Sequence, residues 1–342
     1  MTNFKTVRIT SHGGRKMNKI KILKDDEALT IEESTFLSHD GKSRSAYYLF
    51  IPKCDSPKGI LQICHGMCEY VLRYEDFARA MCREGYIVCG NDHIGHGKTA
   101  PSDDLLGYTA KNEGAMIMVR DARLLSGIVR NRFPSLPLFL IGHSMGSFIA
   151  RRYIELHGRE LAGAIIVGTG GPESPTALGK ALAKLIIKTK GEDHRSKLLD
   201  SIAFGSYNKK FKGEKDSASW LTRDKAIREK YVADKYCSFK FTARGFYDLF
   251  DLLGSVSSKE WANNLPKELP ILIISGDADP VGNYGKGVSA VYDRMENAGM
   301  ENVTLRLYHG ARHELFNETS RDEIISHTLE WIESNLPITE RI

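Results

Sequence analysis

Gly142-His143-Ser144-Met145-Gly146 sets a serine between two glycines, directly after the apolar run 138–141 and before the helix-like stretch 147–157. A serine at a sharp strand-to-helix turn projects its hydroxyl above the sheet, and the flanking glycines leave room for tight backbone packing. The hydroxyl alone is a poor nucleophile at neutral pH. Acyl transfer needs a base within hydrogen-bond reach of it and an acid that fixes the base's tautomer and steadies the imidazolium. Ser144 is therefore the candidate nucleophile, with Gly142, His143 and Gly146 shaping its turn.

Two late loops supply the partners. Gly276-Asp277-Ala278-Asp279-Pro280-Val281 follows the run 271–275, and His309-Gly310-Ala311-Arg312-His313-Glu314 follows 303–308. Asp279 lies farther out in its loop and is fixed by Pro280, so it is favoured as the acid over Asp277, which suits a turn cap. His313 precedes a helix-like stretch and is favoured as the base over His309, which sits nearer the strand end. The oxyanion formed on a scissile carbonyl needs backbone donors, one of them the amide after the nucleophile, here Met145. For the second donor, the run 60–64 leads straight into His65-Gly66-Met67, where Gly66 permits an unusual backbone and the Met67 amide can point into the site. His65 and Gly66 are accordingly read as site-shaping. Asn91-Asp92-His93-Ile94-Gly95-His96-Gly97 follows another strand, but its glycine spacing matches no phosphate-cradling fingerprint. Asp92, His93 and His96 are expected to support the site structurally, without binding metal.

The elements that must position these residues are legible from periodicity. Short β-branched or aromatic runs recur at 47–51, 60–64, 86–89, 138–141, 164–167, 271–275 and 303–308, and each reads as a strand. Stretches with apolar spacing near 3.6 lie between most of them, at 74–84, 112–133, 147–157, 284–298 and 321–335. This alternation predicts an α/β fold with a mostly parallel central sheet flanked by helices on both faces. From 171 to 265 no clear buried strand occurs, and two helical patterns can be drawn, over 176–189 and 220–233. The division that follows is a loose leader over 1–25, with Met17 an alternative start, a core of 26–170 and 266–342, and a largely helical cap of 171–265 inserted between strands.

Composition narrows the function classes. The formal charge of +5 is a small excess of 48 Lys and Arg over 43 Asp and Glu, without an Arg-rich tract or aromatic-basic signature, so nucleic acid is not an expected partner. Six cysteines, at 54, 64, 68, 82, 89 and 237, lack paired Cys-x-x-Cys spacing, which predicts reduced, packed thiols. No apolar run approaches the ~20 residues that span a bilayer, and no signal-peptide core is present, so a cytoplasmic protein is expected.

The chain resembles the monoglyceride lipase and lysophospholipase branch of the α/β-hydrolases, often classed with serine aminopeptidase-like hydrolases. The resemblance runs over about 35–335 and rests on His65-Gly66-Met67 with Glu69 and Arg73-Tyr74-Glu75-Asp76-Phe77, on Asp92-His93-Ile94-Gly95-His96-Gly97, and on the elbow around Ser144. Gly276 to Val281 and His313-Glu314 with Asn317-Glu318 complete it. It implies Ser144 as nucleophile, Asp279 as acid, His313 as base and Met67 and Met145 as oxyanion donors, and it brings no cofactor and no metal. Trp220-Leu221-Thr222-Arg223-Asp224, with Tyr231 and Asp234, is similar to the cap of lysophospholipase-like members, although this cap is Lys-rich and lacks a long apolar stretch.

Within the cap, Leu178, Ala181, Leu182, Leu185 and Ile186 fall on one helical face and Lys180, Lys184 and Lys188 on another. Packing of the apolar face over the site is the favoured reading, with weak peripheral contact to an anionic membrane as the alternative. The expected activity is that of a serine hydrolase cleaving a small ester with one acyl chain, of the monoacylglycerol or lysophospholipid type. A same-fold aminopeptidase or thioesterase would use the same machinery, and a non-catalytic binding protein on this scaffold would lack a triad member.

Overall fold

The computed structural model describes residues 6–7, 19–172, 176–211, 213–214 and 216–337. Four antiparallel strands open the chain: β1 (Thr6–Val7), β2 (Ile20–Asp25), β3 (Leu29–Leu37) and β4 (Arg44–Pro52). They are followed by β5 (Gly59–Cys64), β6 (Tyr86–Asn91), β7 (Leu138–His143), β8 (Gly163–Val167), β9 (Ile271–Gly276) and β10 (Val303–Tyr308), which are mutually parallel. Together the described strands form one sheet in the order β1-β2-β3-β4-β6-β5-β7-β8-β9-β10.

Every residue of β5 to β9 is buried, so these strands read as largely apolar runs, with helices covering both faces. On one face lie α1 (Glu75–Arg83) and, late in the chain, a helix over Arg321–Ser334; Phe77 of α1 stacks on Phe316 at 4.3 Å. The other face carries α2 (Gly114–Arg132) and α3 (Met145–His157). This is the expected α/β arrangement, and all seven expected strands are present with ends shifted by at most three residues.

Three strands, β1, β2 and β3, were not anticipated. Ile20–Asp25, the end of the expected leader, pairs with β3, so the leader cannot extend to residue 25; residues 1–5 and 8–18 lie outside the described set. β3 carries Glu32 and Glu33 among its apolar residues and is only partly buried, which blurs the strand signal of an antiparallel pair with one solvated face.

Between β8 and β9 stand α4 (Thr176–Lys190), α5 (Lys197–Phe204), α6 (Lys225–Ala233), α7 (Ala243–Ser255) and α8 (Lys259–Asn263). The helix anticipated over 220–233 starts only at Lys225, because the Asp224 carboxylate caps it, accepting from the Ala226 and Ile227 amides. Ser196 caps α5 and Thr242 caps α7 in the same way, two helices that periodicity did not single out. On α4 the buried seam is Gly179, Ala183 and Ile186; a Cβ at Gly179 would lie 2.8 Å from the Phe250 ring of α7. Leu178 and Leu185, expected to pack, are instead 70% and 58% exposed. The last two helices are α9 (Lys286–Asn297) and α10 (Arg321–Ser334).

Candidate active site

Ser144 stands between β7 and α3 with φ 52° and ψ −121°, a backbone conformation that costs a non-glycine residue ~1–3 kcal/mol and persists only where the surroundings enforce it. Its amide donates to the Val167 carbonyl of β8 at 3.0 Å. The flanking glycines are required by close approach. A Cβ on Gly142 would lie 2.4 Å from the Gly146 carbonyl oxygen, and one on Gly146 would lie 1.9 Å from that of Cys64 on β5.

The loops after β9 and β10 bring His313 and Asp279 together. His313 Nδ1 meets Asp279 Oδ2 at 2.9 Å, and the two residues are 1% and 0% exposed. With the carboxylate accepting, Nδ1 carries the proton and Nε2 is left as the basic nitrogen. The other carboxylate oxygen of Asp279 accepts from the Val281 amide at 2.8 Å, which fixes the carboxylate plane. Asp277 and His309 pair with each other instead, at 2.9 Å on the surface, where Asp277 also accepts from the Gly310 amide. Ser144, His313, Met67 and Met145 line one cavity of about 1110 Å³, walled by Phe148, Phe250 and Leu253 on its apolar side.

The turn His65-Gly66-Met67 lies against Ser144: a Cβ on Gly66 would stand 3.0 Å from the Ser144 Cβ. The Gly66 amide donates to Glu69 Oε1, and its carbonyl is 2.8 Å from His65 Nδ1. Asp92 secures the neighbouring loop, accepting from the Val71 and Lys98 amides at 3.0 and 2.8 Å and from the Tyr48 hydroxyl at 3.2 Å. Burial pushes the Asp92 carboxyl up to about 6.

Beneath the site runs a buried ionic chain in which Glu69, Arg73 and Glu314 were legible only as motif residues and His143 only as shaping the turn at Ser144. Arg73 donates to Glu69 at 3.0 Å and, through both terminal nitrogens, to Glu314 at 2.8 Å. Glu69 also meets His143 Nδ1 at 2.8 Å, and His143 Nε2 reaches the His313 carbonyl at 3.3 Å. Burial opposes charge on His143, but the Glu69 carboxylate outweighs it and raises its pKa above 6.5. Burial likewise opposes ionisation of Glu69, yet the charge and hydrogen bond of His143 and the charge of Arg73 hold it well below the usual carboxylate range. The chain thus ties the turn after β5, the turn at Ser144 and the His313 loop into one unit. The i, i+4 spacing of Glu69 and Arg73 was the only local hint, since Glu314 is 241 residues away from Arg73.

The segment 218–224 is bound to the same loop. The Trp220 ring lies 5.0 Å from that of His313, the Glu314 amide donates to the Leu221 carbonyl at 2.7 Å, and Thr222 donates to the Asn317 carbonyl at 2.9 Å. Arg223 pairs with Glu318 at 2.9 Å.

With this geometry in view, comparison with known proteins is informative. The family model described as serine aminopeptidase, S33 (Hydrolase_4) matches residues 55–320, most of the chain. The chain belongs to the S33 family of α/β-hydrolases. Within the fold, this S33 chain falls in the monoglyceride-lipase-like branch. It is 27% identical over 301 residues to a monoacylglycerol lipase of Mycolicibacterium smegmatis, covering 86% of this chain and 95% of that one. A monoglyceride lipase of Rattus norvegicus is 29% identical over 269 residues, covering 77% and 78%. Among solved structures, a thermostable carboxyl esterase from Bacillus coagulans in complex with glycerol superposes with a TM-score of 0.84 at 32% identity, covering 90% of the S33 chain and 99% of the esterase.

Proposed function

We propose that this S33 hydrolase cleaves carboxylic esters through an acyl-enzyme, with Ser144 as nucleophile, His313 as base and Asp279 as the acid that orients it. The observation that carries the reading is the buried His313–Asp279 pair at 2.9 Å, facing the cavity onto which Ser144 also opens. His313 Nε2 takes the Ser144 proton as the hydroxyl attacks the carbonyl, Asp279 stabilises the imidazolium, and the Met67 and Met145 amides receive the oxyanion. The imidazolium then protonates the leaving alcohol, and water, deprotonated by the same histidine, releases the acid.

The substrate is proposed to be an ester with one acyl chain, of the monoacylglycerol or lysophospholipid type, lying under a cap made of 171–265. The apolar wall formed by Phe148, Leu249, Phe250 and Leu253 suits one chain. The names of the relatives and of the esterase lend the same support. An aminopeptidase would need a free carboxylate to hold the substrate's amine, and among the described residues the three acidic ones lining the cavity are all engaged. Glu69 and Glu314 pair with Arg73, and Asp200 pairs with Lys240 at 3.3 Å. That favours an ester over an aminoacyl amide.

A peripheral contact with membranes is part of the proposal. Leu178 and Leu185 of α4 and Leu198 of α5 are 70%, 58% and 54% exposed, beside the exposed Lys184 and Lys188. An apolar ridge flanked by cations suits the surface of an anionic bilayer. Among the described residues, no helix is long and apolar enough to cross one.

The test is labelling with a fluorophosphonate probe, comparing the wild type with Ser144→Ala, followed by turnover of monoacylglycerol, lysophosphatidylcholine and aminoacyl amides. Loss of labelling in Ser144→Ala and ester turnover far above amide turnover are expected. Undiminished labelling of the variant would remove Ser144 from the mechanism, and dominant amide cleavage would remove the ester reading.

A further inference from the structure

Three buried histidines stand behind the oxyanion turn, and the reaction as described uses none of them. His65, His93 and His96 are 0%, 1% and 0% exposed, with the His65 ring 4.1 Å from that of His93 and 5.2 Å from that of His96. They do not form a metal centre: both nitrogens of His65 are already hydrogen-bonded, and no set of described His, Cys, Asp or Glu residues is arranged to hold an ion.

The hydrogen bonds of His65 define its tautomer. The His93 amide can only donate, and it does so to His65 Nε2 at 2.9 Å. Burial, reinforced by the neighbouring His93 and His96, holds the His65 pKa well below 6.5, so the ring is neutral and has one N–H. Because Nε2 is accepting, that N–H is on Nδ1, which donates to the Gly66 carbonyl at 2.8 Å. The Gly66–Met67 peptide is trans, since the described chain has no cis bonds, and in a trans peptide the C=O and the following N–H point in opposite directions. Tying the Gly66 carbonyl back toward His65 therefore turns the Met67 N–H away from it. On the other side of the same glycine, the Gly66 amide is held by Glu69.

We propose that His65 is a positioning residue for the oxyanion donor: with its tautomer set by the His93 amide, it holds the Gly66 carbonyl and so aims the Met67 N–H at the carbonyl oxygen of a substrate on Ser144. This rests on the ester-hydrolase reading above. It also gives Asp92-His93-Ile94-Gly95-His96-Gly97 a task. The loop presents the His93 amide to His65, and its two imidazoles pack against that ring. Phe239 and Phe241 back His96 at 5.7 and 5.3 Å.

The experiment compares wild type, His65→Leu and His65→Asn on a p-nitrophenyl ester and its thiono analogue, in which sulfur replaces the carbonyl oxygen. An intact oxyanion site favours oxygen over sulfur, so the oxo-to-thiono rate ratio reports the alignment of its donors, which a general loss of stability would leave unchanged. Leucine can neither donate nor accept, whereas the asparagine amide nitrogen lies close to the position of Nδ1 and can still donate to Gly66. Removing one oxyanion donor costs about 10²–10³ in kcat, so His65→Leu is expected to lose about 10² in kcat with KM within about threefold, and its oxo-to-thiono ratio should fall at least about tenfold. His65→Asn should recover most of both. If His65→Leu does not fold, His65→Gln replaces it: its amide reaches toward the Nε2 position instead, and its ratio should fall while that of His65→Asn holds. An unchanged ratio in His65→Leu, or equal ratios in the Asn and Gln variants, with wild type still labelled at Ser144, overturns this inference alone. A wild type that is not labelled at Ser144 overturns the ester-hydrolase reading and this inference with it.

Discussion

Acid should destabilise this protein through the buried imidazoles of His93 and His96, and the size of the effect can be worked out. Burial holds His96 down to about 4 and His93 to about 3, against an ordinary value of 6.5. On acidification the unfolded chain takes up these protons near 6.5 while the folded chain refuses them. The stability they contribute is therefore present above 6.5 and is lost as the pH falls toward the folded values. Each pH unit inside that window costs ~1.4 kcal/mol per histidine, so moving from pH 6.5 to 5 removes ~2 kcal/mol for each. Asp92 works the other way. Its folded pKa of about 6 lies above the ordinary 3.8, so folded protein takes up a proton first and regains ~1.4 kcal/mol between pH 6 and 5. The net loss from these three groups over the interval is ~3 kcal/mol, a substantial share of the ~5–15 kcal/mol that holds a typical domain folded. The assay is urea unfolding of wild type and His96→Phe at pH 6.5 and 5.0. The variant forfeits the hydrogen bond from His96 Nδ1 to the Ile94 carbonyl, which lowers stability by ~1 kcal/mol at both pH values. It should lose ~2 kcal/mol less than wild type between them. Parallel pH dependence in the two proteins would refute the reasoning, because it would mean that His96 is not held neutral in the folded state.

Two further outcomes follow from the site and the cap. Asp279→Asn should lower kcat by ~10³–10⁴, because the His313 tautomer is no longer enforced, while Asp277→Asn, which only loosens an exposed turn, should stay within about threefold; steady-state kinetics on a soluble ester decides between them. Leu178→Asp combined with Leu185→Asp should raise KM for monoacylglycerol presented in anionic vesicles at least about tenfold, since a leucine buried in an apolar phase contributes ~1.5–3 kcal/mol, and should leave kcat/KM for a short soluble ester unchanged.

The parallel part of the sheet was legible because β5 to β9 are buried on both faces and therefore mostly apolar in sequence. β2 and β3 were not, because an antiparallel pair with a solvated face admits Lys21, Lys24, Glu32 and Glu33. The same physics hid the true seam of α4. Five apolar residues fit one helical stripe, but the packing against Phe250 selects Gly179, Ala183 and Ile186, and a glycine carries no hydrophobic signal.

By itself the sequence determined the order of serine, aspartate and histidine, each after its strand, and the glycines that a turn pressed against β5 requires, because these follow from local periodicity and sterics. Only the tertiary structure decided which carboxylate faces His313 and which acids in the cavity are already neutralised by Arg73 and Lys240. Those outcomes depend on ion pairs and hydrogen bonds between residues far apart in the chain, which only folding brings within reach of one another.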